Sequence, residues 1–404
     1  MIAPGPPVTA PPLSRGRLRA VLFVVCSCSF LGSLNANLLA PIIVEVASDL
    51  GVSVSAAGQL VTAAGIAALP IVFAAGYAGD RYGRRSAMVT GAGILALASV
   101  LSAAAPGYWS LFATRLLAGA GASLLMTNAM ASTADYFPPE DRSRAVGLAV
   151  AFSGLPMVLG WPAVAALAEA GSWRLPFFSI GLGFLLIAGL ALTIVPVLHP
   201  ATPVELGAHF RRVLGAAFTS RRISGLNVAT GLGAACWFGF LTYVGAFYAQ
   251  TYTLSPAQLS LYLGFIGIFY FVGGAVVGPV ARRLGDRTAA VGSALFTAAL
   301  LPSVMSITGS LLVSVLLTAL VGAARSIGLS SQQSILLEAA GQARASILAV
   351  SSAFFVAGTL SGAAVGGVAL DLGGFALVGV VYGAMALLSA GALVWSAAGS
   401  VSRV

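Results

Sequence analysis

Twenty basic residues, all of them arginine, and eleven carboxylates are the only fixed charges in this 404-residue sequence, and their placement limits its chemistry. The densest group is "GYAGDRYGRRS", Gly76 to Ser86, where Asp80 stands among Arg81, Arg84 and Arg85 in an apolar neighbourhood. Two more arginines, Arg115 and Arg325, fall inside apolar runs. An ionised guanidinium in lipid costs at least about 2.5 kcal/mol, so each must face protein or water. Arg325 suits an anionic or strongly polar substrate group, because guanidinium matches carboxylate and phosphate. Its competing reading is a buried arginine satisfied by helix carbonyls or by Gln332 and Gln333. Arg115 is the second deep candidate for a substrate or coupling role.

Every acid, from Glu45 to Asp371, lies at or beyond the end of an apolar run. An exporter of cationic drugs would hold its cargo on a carboxylate near the membrane midplane, so such cargo is disfavoured. Enzymatic chemistry finds no footing either. His199 and His209 share a central polar segment, no H-E-x-x-H occurs, and a serine nucleophile would lack a base. Cys26, Cys28 and Cys236 lie in apolar runs, and the first two fall about 200° apart on a helix, which rules out a metal pair on one face. No enzyme activity, cofactor or metal is expected. Asn35, Asn37, Asn128, Trp237 and Tyr243 are candidates for lining a cavity, and Glu45 for entering it from the outer surface. Polar residues in membrane helices more often bond between helices than bind cargo.

The elements that hold these residues follow from composition. With 59% hydrophobic and 8% charged residues and a mean hydropathy of +0.99, the chain is far from the roughly 25% charged of a soluble domain. An all-α integral membrane protein is expected. The net charge of +9 does not mark a nucleic-acid binder, because the arginines form short clusters between apolar runs. Runs of about twenty residues occur near 19–41, 56–78, 86–104, 108–132, 145–168 and 175–198, then near 224–250, 259–281, 288–308, 310–334, 345–369 and 375–398. They predict about twelve spans in two six-helix bundles, 19–198 and 224–398, joined by a cytoplasmic linker at 199–223. A disordered cytoplasmic tail is expected at 1–18 and a short one at 399–404. With both termini inside, seventeen arginines face the cytoplasm and Arg174 alone faces out, as the positive-inside rule requires. A multi-pass protein of the plasma (inner) membrane, surrounded by lipid and monomeric, is expected.

The halves repeat. An offset of 202 to 203 pairs Gly76 with Gly278, Gly83 with Gly285, Gly119 with Gly322, Asp135 with Glu338 and Glu169 with Asp371. Parallel repeats of this kind place a substrate site between the halves, near the midplane, which points to transport. A channel is disfavoured, since the two halves differ in their hinge charges.

The spacing of Gly76, Asp80, Arg81, Gly83, Arg84 and Arg85, between the second and third spans, resembles motif A of the major facilitator superfamily. "RLLAGAGA" from Arg115 is similar to the family's fourth-helix motif, and "VLGWPAVAALAEAGSWRLPFF" to the fifth-helix region of its twelve-helix drug and sugar exporter branch. The fifth-helix pattern departs from that of antiporters: Gly154, Pro156, Gly160 and Pro162 keep the residue types without the spacing. In the second half Arg282 takes the place of Asp80. The resemblance implies a transporter working by alternating access, with Arg84 bridging Asp80 to Asp135 and Asp80 facing the start of the eleventh helix, just after Arg344. That cluster would latch the cytoplasmic side shut. Proton-coupled efflux of a drug-like, sugar-like or metabolite cargo is the leading expectation, with import or uniport of a small polar or anionic nutrient the alternative. Only Asp80, Asp135 and Glu45 are placed to titrate during a cycle.

Overall fold

The computed structural model describes residues 14–197, 215, 220–307, 309–340 and 344–397. They form helices α1 (Arg15–Ala36), α2 (Ile43–Asp49), α3 (Val54–Tyr82), α4 (Arg84–Ala103), α5 (Tyr108–Tyr136), α6 (Pro139–Leu155), α7 (Trp161–Ala170) and α8 (Arg174–Ile194) in the first half. The second half holds α9 (Arg221–Tyr252), α10 (Pro256–Leu284), α11 (Asp286–Ser306), α12 (Leu311–Ala340) and α13 (Arg344–Ala397). A π-helical turn, Pro156–Gly160, joins α6 to α7, so that 144–170 is one crossing. Pro156 cannot donate a backbone hydrogen bond, and π turns form where the regular ladder is interrupted.

Eleven helices among the described residues are long and apolar enough to cross a membrane. The last, Val350–Ala397, has 48 residues, whereas a crossing needs about twenty. Its backbone leaves the helical region at Gly373 and Gly374, the latter at φ 65°. The break divides α13 into two crossings and brings the total to twelve.

The repeat is exact in length where it matters. Helices α3 and α10 each have 29 residues and begin and end 202 positions apart. Ser53 and Ser255, also 202 apart, cap them, each hydroxyl accepting from the backbone N–H three residues on. Gly83 closes α3 at φ 88°, ψ 143° and Gly285 closes α10 at φ 79°, ψ 145°. A residue with a Cβ is strained there, so glycine is what lets the chain turn within one residue into α4 and α11.

Three boundaries differ from expectation. Helix α1 starts at Arg15, inside the expected 1–18 tail, because Ser14 Oγ accepts from the Arg17 amide and caps it. It ends at Ala36 rather than near 41, and the following turns lead into the short α2, which holds Glu45 and Asp49. Helix α9 starts at Arg221 behind its own cap, Ser220, which shortens the expected 199–223 linker. The rest of that linker, apart from Gly215, and residues 1–13 and 399–404 lie outside the described residues.

Candidate functional site

At the Gly83 turn, Arg84 gathers the end of α3 and the end of α5. Its Nε donates to Asp135 Oδ2 at 2.8 Å, one terminal nitrogen to Asp80 Oδ1 at 2.5 Å, and the other to Asn128 Oδ1 at 3.2 Å. The same nitrogen reaches the Gly76 carbonyl at 3.5 Å. Two ion pairs therefore share one guanidinium, whose side chain is only 15% exposed, against 45% for Asp80. Partial burial strengthens these charge-assisted bonds over the surface case. A Cβ on Gly79 would collide with Asn128 Oδ1, so the approach of the two helices depends on that glycine.

Asn128 was an expected cavity residue, and the structure places it here instead. Its amide donates to the Ala75 and Leu124 carbonyls, and the residue is fully buried. The sequence held a signal for this: Asn128 and Asp135 are seven residues apart, two helical turns, and so share a face. Arg84 thus bridges Asp80 and Asp135. Arg81 lies over the Tyr82 ring, 5.7 Å from its centroid, and Arg85 is the second residue of α4. The expected neighbour of Asp80 at the start of α13 lies at residues whose side chains are outside the described set. Among the described residues Asp80 pairs with Arg84 alone.

The two deep arginines differ. Arg115 donates to Asn35 Oδ1 and to the Asn35 carbonyl, both at 3.1 Å, and lies over the Phe177 ring. Arg325 is 8% exposed, and among the described residues no hydrogen bond or ion pair reaches it. Gln332, one proposed partner, turns its amide nitrogen to the Leu226 carbonyl and to Thr230 Oγ1, and no hydrogen bond joins it to Arg325 among the described residues. Arg325 instead packs against Gly233 of α9, beside Tyr270 and Cys236. Trp237 stacks on Tyr270 with centroids 5.4 Å apart and planes 15° apart, and on Phe240. Tyr270 was missed by the sequence reading, because it is one of several aromatics in "GIFYF" and nothing local distinguishes it.

The remaining candidates separate. Asn37 bonds its own helix at the Ser33 carbonyl and lines, with Val61 and Thr242, a cavity of about 10 Å³, room for one water. Tyr243 is fully buried, donates to the Ala363 carbonyl at 2.8 Å and packs on Gly58, so it joins helices rather than lining open space. Glu45 is half-buried on α2, outside the spans. Burial raises its carboxyl above the usual range, and the nearby charge of Glu169 raises it further.

Known proteins share this architecture. Solved structures of a mutant of the nucleoside transporter NupG (TM-score 0.77, 13% identity, 93% of this chain and 100% of that one) and of a bacterial homologue of the human lysosomal transporter Spinster, inward-facing and unoccupied (TM-score 0.71, 14%, 96% of each), have the same fold. In sequence the chain is 26% identical to a chloramphenicol resistance protein of Streptomyces lividans over 64% of this chain and 66% of that protein. It is 23% identical to the uncharacterized MFS-type transporter YceJ of Bacillus subtilis (strain 168), over 66% of each, and 24% identical to YdgK of that organism, over 73% and 75%. The match thus spans just under two thirds of the length of the first two relatives and three quarters of the third. The family model for the Major Facilitator Superfamily matches residues 25–300. With twelve crossings, a duplicated unit and that match over more than half its length, the chain belongs to the Major Facilitator Superfamily of transporters.

Proposed function

We propose that this transporter exports a small organic solute across the plasma membrane by alternating access, coupled to protons, and that Arg325 receives an anionic or strongly polar group of the cargo. Arg325 carries the reading. It is a buried guanidinium with no partner among the described residues, an arrangement that costs free energy unless a ligand of opposite charge completes it in part of the cycle. Trp237 and Tyr270 beside it offer flat apolar surface for the rest of the cargo. The Asp80, Arg84, Asp135 and Asn128 cluster acts as the cytoplasmic latch, with both termini inside. Export is favoured over import by the relative named a chloramphenicol resistance protein, because moving a drug outward is one route to resistance.

Expression in a host stripped of its own exporters, with accumulation of a panel of acidic and neutral compounds measured with and without an uncoupler, tests this. At least one acidic or polar compound should accumulate severalfold less, an uncoupler should abolish the difference, and Arg325→Gln should abolish it too. Higher accumulation would make the protein an importer, insensitivity to the uncoupler a uniporter, and full activity in Arg325→Gln would remove that arginine from the cargo site.

A further inference from the structure

Two acids paired by the internal repeat take no part in the cytoplasmic latch. Glu169 is the penultimate residue of α7, and its Oε1 accepts the backbone N–H of Ala257, the second residue of α10, at 2.8 Å. Asp371 lies just before the Gly373–Gly374 break of α13, and its Oδ2 accepts from Ser55 Oγ at 2.6 Å; Ser55 is the second residue of α3. Each contact crosses between the halves. Glu169 and Asp371 are 202 positions apart, and so are Ser55 and Ala257. One contact is therefore made twice, with the halves exchanging the roles of donor and acceptor.

The surroundings agree. Gln59 donates to the Ala364 carbonyl at 3.4 Å, and Gly245 of α9 packs on the Ala40 carbonyl, so these ends of the two halves are closed on each other. The hydrogen bonds that Ser55, Gln59 and Ala257 make across the halves all lie at this end. At the opposite end the ion pairs stay within one half: Arg84 with Asp80 and Asp135, Arg222 with Glu338. The first turn of a helix has amide donors without helical partners and carries partial positive charge, so a carboxylate is the side chain that holds it best.

We propose that Glu169 and Asp371 form an outer clamp, each carboxylate holding the first turn of a helix of the opposite half, and that together they stabilise the outward-closed state against the cytoplasmic latch. The clamp rests on the twelve-helix transporter fold and is independent of cargo, direction and coupling. Each contact acts on the same open-to-closed equilibrium, so their effects multiply. Loss of one should raise the outward-open population roughly threefold and loss of both about tenfold, the range expected of carboxylates at partly exposed helix starts.

Thr242 reports the state of this end. It is 5% exposed and lines the small cavity between α1 and α9. In the full chain with Cys26, Cys28 and Cys236 replaced by Ala, Thr242→Cys is labelled on whole cells with a membrane-impermeant maleimide. Glu169→Gln and Asp371→Asn should each raise the initial labelling rate about threefold and the double variant about tenfold. Ser55→Ala removes only the hydroxyl partner, so it should match Asp371→Asn and add nothing to it. If Glu169→Gln is lost from the membrane, the Ser55 and Asp371 pair alone decides. Unchanged labelling in variants present at normal levels, or full additivity of Ser55→Ala and Asp371→Asn, would overturn the clamp. Lost transport with unchanged labelling would do the same while leaving the transporter reading intact.

Discussion

Each half of the molecule buries one arginine in its fourth crossing, and the two are not copies. At the repeat offset of 203, Arg115 corresponds to Thr318, which bonds Tyr248, and Arg325 corresponds to Ala122. Arg115 is tied to the side-chain and backbone oxygens of Asn35, while Arg325 is left without a partner among the described residues. The duplicated unit has kept the features that set helix length and turning, Ser53 with Ser255 and Gly83 with Gly285, and has diverged where charge is buried. Geometry is common to the halves. Under the proposed function, this difference in charge makes one half the scaffold and gives the other the cation for cargo.

The same substitution made in both places separates those roles, and it carries the largest effect expected. Arg115→Gln breaks two charge-assisted hydrogen bonds, each worth about 1.5–3 kcal/mol, and leaves Asn35 with buried acceptors. Its melting temperature and the amount of folded protein should fall together. Arg325→Gln removes an unpaired buried charge that costs at least about 2.5 kcal/mol in lipid, so its melting temperature should hold or rise while transport disappears. Thermal unfolding in detergent beside a transport assay checks both. A destabilised Arg325→Gln would show that the arginine is structural after all and erase the contrast.

The two inner hinges sharpen the comparison at a smaller scale. In the first, Arg84 joins three side chains; in the second the signs are exchanged, with Arg282 at the position of Asp80 and Asp286 at that of Arg84. Among the described residues Asp286 accepts only a hydroxyl, Ser334 Oγ at 2.8 Å, and it is partly exposed. Asp80→Asn should therefore weaken the cytoplasmic latch by about 1 kcal/mol or more, shifting the protein toward inward-open without loss of expression. Asp286→Asn should change cysteine accessibility little. Equal shifts from the two would mean that the hinges are equivalent and that the sign exchange has no mechanical meaning.

Much of this was legible in the sequence, and for physical reasons. A membrane crossing needs about twenty apolar residues and a turn between crossings needs glycine or charge, so composition alone outlines the spans and the Gly83 hinge. Arg84 and Asp135 were found through the motif. What escaped depends on distance in three dimensions. Asn128 is a lone amide on a long helix until Gly79 brings α3 against it. The helix break at Gly373 and Gly374 falls in the gap between the apolar runs 345–369 and 375–398. The start of α1 was not legible, because the capping hydroxyl of Ser14 sits among residues that otherwise look like a tail.

The outer face of the first half makes the smallest contrast, and it is one of pH. Helix α2 carries Glu45 and Asp49, and at the 202 offset the second half has Phe247 and Thr251, so this pair of acids has no counterpart in the second half. Burial, together with the charge of Glu169, raises the Glu45 carboxyl. Asp49 is shifted the other way, by the hydrogen bond from Arg174 first and then by that from Trp173. The signs follow from proton binding. A carboxyl raised in the folded state holds its proton more tightly there than in the unfolded chain, so stability falls as pH rises from the unfolded value through the raised one. A lowered carboxyl contributes stability above its unfolded value and loses it as pH falls through the folded one. Glu45→Gln should thus melt slightly higher than the parent at pH 7 and equal it near pH 4. Asp49→Asn should melt slightly lower at pH 7 and converge with the parent in acid. In a Glu169→Gln background the gain from Glu45→Gln should shrink, because one of its two causes is gone. An undiminished gain there would place the whole effect in burial and separate Glu45 from the outer acids altogether.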